Sequence, residues 1–150
     1  MILSKVLIDK KSPYLKSIII NRGSKSGILK GMPVTDKEYL VGRIVETNYL
    51  SSRVLLLNDL NSRIPVTFGE EGIQAILKGS GGSRPVLEYL PEGYTIESGI
   101  DVFTSGKDGI FSPGSPIGIT TELGEVKLFS ESSQLSFVKI DLSKQKGEGF

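Results

Sequence analysis

Eleven short β-rich runs, each cut off by turn residues, leave this chain almost no room to be helical. They occupy residues 5–9, 16–21, 40–46, 53–58, 64–68, 73–78, 85–90, 101–104, 117–122, 125–129 and 135–141. No window of a dozen residues keeps an apolar stripe at i, i+3, i+4 and i+7 free of glycine or proline, whereas extended runs bounded by Gly, Pro, Asn, Asp and Ser recur. The pattern predicts an all-β fold of sandwich or barrel type. Ile18-Ile19-Ile20 and Val54-Leu55-Leu56-Leu57 are apolar on both pleat faces, as strands enclosed on both sides are. Val138, Ile140 and Leu142 alternate with Phe137, Lys139 and Asp141, as in a strand with one wet face.

A glycine-rich corner occurs twice. NRGSKSGILKGMPV, residues 21–34, is answered by TSGKDGIFSPGSPIGI, residues 104–119. Gly23 and Gly106, Gly31 and Gly114, Pro33 and Pro116, and Val34 and Ile117 each stand 83 residues apart, while Gly27 answers Gly109 one place out of register. Gly-x-Pro followed by a β-branched residue asks for one residue free to take positive φ, then a fixed φ, then a return to extended chain. The shared residues are turn formers and not reactive groups, so the repeat predicts two similar small units. A unit half of 150 residues long buries only about 60% of its unfolded surface and is marginal alone, so the two should lean on each other. The expected division is 1–62 and 63–142, handing over at the turn Asn58-Asp59-Leu60-Asn61-Ser62, with 143–150 a flexible tail. The last strand, within 133–142, could close either unit. Gly79-Ser80-Gly81-Gly82-Ser83 reads as a hairpin tip inside the second unit.

Reactive chemistry is scarce. The chain has neither histidine nor cysteine, which removes the Ser-His-Asp triad, imidazole and thiolate zinc sites and disulfides. Lysine plus arginine is 18 against 17 acidic residues, a net charge of +1 without the concentrated basic clusters that nucleic acid requires. A hydrolase would need a Ser-Lys pair, and Ser105 with Lys107 is the best-placed candidate. Lys107 stands among Gly106, Asp108 and Gly109, where no apolar neighbour would desolvate it as a catalytic lysine requires. The glycines at 79–83 lack the helix start and lysine of a phosphate-binding loop, and Glu70-Glu71 between Gly69 and Gly72 reads as a solvated turn. No cofactor, metal or small-molecule substrate is expected. No run approaches 18 apolar residues and the start lacks a signal-peptide pattern, so the chain is expected to be either cytosolic or a piece of a longer protein.

The motifs resemble the extracytoplasmic part of the bacterial rod shape-determining MreC family. Gly23, Gly27, Gly31, Met32, Pro33 and Val34 fit its G-x-x-x-G-x-x-x-G-M-P-V pattern, and Leu40-Val41-Gly42-Arg43-Ile44 its L-V-G-R-V. Ser52, Val54, Leu56, Leu57 and Asp59 fit the next strand, followed by Ile64-Pro65-Val66. Gly99, Val102, Thr104, Ser105, Gly106, Gly109, Phe111, Gly114, Pro116, Ile117 and Gly118 fit the second corner, with Ile100 where the family has Asp and Ser112 where it has Pro. The resemblance implies two six-stranded-type β-barrels packed as in trypsin-like proteases, without catalytic residues. It implies a non-enzymatic scaffold of the cell-elongation complex, anchored on the extracytoplasmic face of the membrane by an N-terminal helix outside this chain. Implied partners are the elongation-specific penicillin-binding transpeptidase, the membrane protein MreD, through it the actin-like MreB, and further copies of itself. Such a scaffold would offer sheet edges and apolar patches, with Tyr14, Tyr39 and Phe111 as candidate contacts. The alternative is the Ser-Lys hydrolase on the same fold.

Overall fold

A computed structural model describes residues 1–7, 16–130 and 134–142. The described residues are all-β, with a turn of 3-10 helix at Ser24–Ser26. Strands β1 (Ile2–Leu7), β2 (Ser17–Ile20), β3 (Pro33–Asp36), β4 (Tyr39–Thr47), β5 (Ser52–Leu56) and β12 (Phe137–Ile140) form a closed barrel in the order β1-β12-β3-β4-β5-β2. Strands β6 (Arg63–Phe68), β7 (Ile73–Lys78), β8 (Val86–Glu88), β9 (Asp101–Thr104), β10 (Pro116–Thr120) and β11 (Val126–Leu128) form a second six-stranded sheet, β11-β10-β9-β6-β7-β8. Its outer strands meet through the Val86–Glu125 bridge, with the Leu87 N–H bonded to Gly124 O and the Val126 N–H to Pro85 O. The second sheet is thereby drawn into a barrel as well. The strand missing from the sequence reading is β3, whose opening Pro33 and length of only four residues gave no strand signal.

The two barrels share one wiring plan. Travelling round the second gives β6-β7-β8-β11-β10-β9, and round the first β12-β1-β2-β5-β4-β3. They match strand for strand once the C-terminal β12 is counted as the opening strand of the first barrel, paired antiparallel with both β1 and β3. Register agrees too. Gly42 on β4 lies between Val34 and Leu56, and Gly118 on β10 lies between Val102 and Leu128. At both places a Cβ would run into the backbone of the next strand, at the Leu55 carbonyl for Gly42 and the Lys127 carbonyl for Gly118. Glycine there lets two strands approach closely where the barrel bends.

This equivalence corrects the repeat read at a spacing of 83. The first corner precedes β3, whose counterpart is β9, yet the second corner precedes β10. What the corners do share is local geometry. Gly31 and Gly114 have φ of 92° and 90°. The Gly31 N–H bonds Ile44 O while the Ile44 N–H bonds Met32 O, and the Gly114 N–H bonds Thr104 O while the Thr104 N–H bonds Ser115 O. Gly23 and Gly106 do not match: Gly23 is extended at φ −141°, and Gly106 is left-handed at φ 78°. The repeat therefore reports one recurrent turn used at two non-equivalent positions.

The first barrel encloses Ile18, Ile20, Ile28, Val34, Ile44, Val54, Val138 and Ile140 among others. The second core includes Val66, Phe68, Leu77, Val102, Phe111 and Ile117, and also takes Leu40 and Leu57 from the first barrel's own stretch of chain. Full burial of each of these two leucines contributes about 2 kcal/mol to holding the barrels together. Around them Tyr39 packs on Phe129 with ring centroids 5.0 Å apart, and Ser130 Oγ donates to Leu40 O at 3.2 Å. The handover at 58–62 is organised by Asp59, which is fully buried. Its carboxylate accepts the Lys16 N–H at 2.8 Å and the Asn61 N–H at 2.7 Å. The 79–83 tip folds back on this turn, through Gly79 N–H to Ser62 O and Gly81 N–H to Asn58 O.

Candidate functional site

The state of the strand edges decides what kind of surface is available. The closed first barrel has no unpaired strand edge, so docking by a sheet edge does not hold there, and in the second sheet the two outer strands meet only at the Val86–Glu125 bridge. Turn tips and outer faces offer the wider surfaces. Two clefts stand out among the described residues.

The first lies on the outer face of the second barrel. Pro65 and Ile76 face each other across β6 and β7, and with Gln74 and Tyr89 they line a mainly apolar groove of about 300 Å³, rimmed by Lys107 and Asp108. Tyr89 is 75% exposed and has φ 61°. A left-handed conformation costs a non-glycine residue about 1–2 kcal/mol. Sequence alternation with Leu87 would have turned Tyr89 inward; the φ reversal just after β8 turns its phenol out, which is why the sequence reading passed over it. The rim is set by the second corner. There Asp108 Oδ1 accepts the N–H groups of Ile110 and Phe111, Ser105 N–H bonds Pro65 O, and Gly106 and Gly109 take φ of 78° and 71°. Ser112, standing where the family has Pro, uses its carbonyl to accept the Thr104 hydroxyl at 2.6 Å.

The second cleft lies on the first barrel, between the first corner and the β4–β5 turn. Ser24 N–H bonds Asn48 O and Lys25 N–H bonds Tyr49 O, and any side chain at Gly23 would collide with that turn. Gly27 and Gly31 complete the corner with φ of 84° and 92°, and Pro33 opens β3. Arg22, Lys25, Ser26, Tyr49 and Leu50 bound a space of about 250 Å³. Tyr49 and Leu50 are 64% and 62% exposed. Two bulky apolar residues at a turn tip between Asn48 and Ser51 have no inward direction available, a signal that was legible in the sequence.

Of the candidate contacts, Phe111 is 2% exposed and packs in the second core, so it offers no face to a partner. Tyr39 is half-buried against Phe129 at the junction of the barrels. Tyr14 and the tail 143–150 lie outside the described residues. Ser105 Oγ accepts the backbone N–H of Lys107 at 3.4 Å, while Lys107 itself is exposed, so the pair lacks the dry contact between ammonium and hydroxyl that a nucleophile needs. Ser105→Ala is expected to leave the labelling of the chain by a fluorophosphonate probe unchanged at background; labelling lost in the variant would revive the hydrolase reading.

Residues 6–145 match the barrel core of the rod shape-determining protein MreC family. The cell shape-determining protein MreC of Caulobacter vibrioides is 36% identical over 148 residues, 96% of this chain and 43% of that protein. The chain spans less than half the length of the curated relatives it matches. The crystal structure of MreC from Pseudomonas aeruginosa aligns with a TM-score of 0.76 at 30% identity, over 93% of this chain and 86% of that one. An MreC from Helicobacter pylori, solved in complex with a penicillin-binding protein, PBP2, shares the fold at a TM-score of 0.61 and 16% identity, over 93% of this chain and 85% of that one. With both barrels, both glycine corners and the match over nearly its whole length, the chain belongs to the rod shape-determining protein MreC family.

Proposed function

We propose that the chain is the barrel module of a non-enzymatic scaffold in the cell-elongation complex, which organises lateral peptidoglycan synthesis by gripping the elongation-specific penicillin-binding transpeptidase. Membrane anchoring and the links to MreD and MreB fall to segments outside this chain, and copies of the module also bind each other. Residues 1–62 with the returning strand form one folding unit and 63–130 the other. The observation that carries the reading is the Tyr89 groove: a strained, outward aromatic beside an apolar hollow on the outer face of the second sheet. Backbone strain at an exposed position that packing does not require points to a surface kept for use. Family membership, and the solved pairing of the Helicobacter pylori relative with PBP2, support this choice of partner.

The test is titration of the transpeptidase's extracytoplasmic region against the chain. Tyr89→Gly is expected to weaken binding at least about tenfold, as loss of a buried aromatic anchor does. The same change relieves the left-handed strain, so the melting temperature should hold or rise slightly. Ile76→Asp, a charge placed in the groove, should also weaken binding. Wild-type affinity in both variants would remove the groove from the account.

A further inference from the structure

The near-neutral total charge conceals a division between the barrels. Among the described residues, the first barrel (1–62 and 137–142) carries nine lysines and arginines against five acidic residues, a surplus of four positive charges. The second (63–130) carries five against nine, a surplus of four negative charges. The positive side has a built receptor. Arg22 and Lys25 are exposed in the 250 Å³ cleft, and no acidic residue lines it. The Lys25 ammonium lies 5.9 Å from the Tyr49 ring centroid, which holds a cation and an apolar surface together on the cleft wall. The corner and the β4–β5 turn forming its walls are clamped by backbone hydrogen bonds, so the receptor is formed in advance.

The negative side has a matching projection. Glu70 and Glu71 are exposed at the β6–β7 tip between Gly69 and Gly72, with φ of 79° and 68°, and the turn is closed by Gly72 N–H to Gly69 O. The cations of that hairpin, Arg63 and Lys78, pair at its opposite end, beyond reach of the tip. None of Arg22, Lys25, Glu70 and Glu71 forms an ion pair among the described residues. We infer that the Arg22–Lys25–Tyr49 cleft of one copy receives the Glu70–Glu71 tip of a second copy, so that the module self-associates first barrel to second barrel. This rests on the proposed self-association and supplies its contact, its polarity and its sensitivity to salt. The occupant is another copy because this chain itself presents the complementary charge on a narrow, glycine-hinged projection. Two different patches meet, so the contact is heterologous and leaves each copy one cleft or one tip to extend the assembly.

The experiment is sedimentation velocity of the chain at 50 and 300 mM NaCl, with variants R22E/K25E and E70K/E71K. The wild type is expected to self-associate at the lower salt, about tenfold more tightly than at the higher, because exposed charge pairs are screened. Each variant alone should be monomeric, since its cleft and tip then carry the same sign. An equimolar mixture of the two should associate again, because each supplies what the other lost. Unchanged melting temperatures show that both variants fold. A monomeric wild type, variants that associate normally, or a mixture that stays monomeric would each overturn the contact, and loss in R22E/K25E alone would assign the cleft to a different acidic partner. Transpeptidase binding, measured on the same samples, is expected to be unaffected, so failure of this contact and failure of the Tyr89 groove are read separately.

Discussion

Gly42→Ala and Gly118→Ala are each expected to destabilise the protein by about 3 kcal/mol, near the upper end of what overpacking costs. For a domain of this size that is a fall on the order of 10 °C in melting temperature. Neither glycine has a left-handed φ, so backbone freedom is not the reason. The methyl group would instead meet a backbone carbonyl on the neighbouring strand, and backbone held in a ladder on both sides cannot step aside. Gly114→Ala is the control. It sits at φ 90° with nothing within 4 Å of its added Cβ, so it bears only left-handed strain of about 1–2 kcal/mol. Thermal unfolding should rank Gly42 and Gly118 together and above Gly114. If Gly114→Ala costs as much as the strand glycines, close strand approach is not what selects glycine in β4 and β10.

The same residues show how far the sequence could be read. Strand content was legible because turn formers punctuate nearly every run, whereas the recurring corner, which pointed to two units, marks one turn used at non-equivalent places in them. The true correspondence of the barrels was not legible. It rests on Gly42 and Gly118, 76 residues apart, embedded in Leu40-Val41-Gly42-Arg43-Ile44 and Pro116-Ile117-Gly118-Ile119-Thr120, where a lone glycine in a strand looks unremarkable until its neighbour across the sheet is known. The place of β12 was hidden for a related reason. Alternating burial fixes which face of a strand is wet, Val138 and Ile140 inward and Phe137 and Lys139 outward, but says nothing of which barrel closes over it. The clefts depend on a single φ at Tyr89 and on two loops brought together, both set by tertiary packing. Phe111 was misplaced because a turn-rich stretch suggested exposure, whereas Asp108 turns the chain so that the ring drops into the core.

Asp59→Ala is expected to cost about 4 kcal/mol, because it strips two backbone N–H groups of a charged acceptor, each such bond contributing about 1.5–3 kcal/mol. The two donors belong to different parts of the molecule. Lys16 leads into β2 of the first barrel, and Asn61 leads into β6 of the second. Asp59 also bonds through its backbone, accepting from Ser62 N–H and donating to Leu56 O, while the tip after β7 presses on it so closely that only glycine fits at position 79. One carboxylate thus ties three segments at the joint. Asp59→Asn should recover only part of the loss, since one amide oxygen can serve one donor while the NH₂ group faces the other. Asp101→Ala, exposed at the start of β9, should lie within about 0.5 kcal/mol of wild type. Native-state hydrogen exchange at the Lys16 and Asn61 amides reports the mechanism directly: both should lose protection in Asp59→Ala beyond the drop in global stability. A melting temperature within about 2 °C of wild type would mean that the joint is held by Leu40 and Leu57 alone. Tied at this joint, the Tyr89 groove and the Arg22–Lys25 cleft sit on barrels that share buried side chains, so the proposed partner on one barrel would keep a set position relative to the proposed second copy on the other.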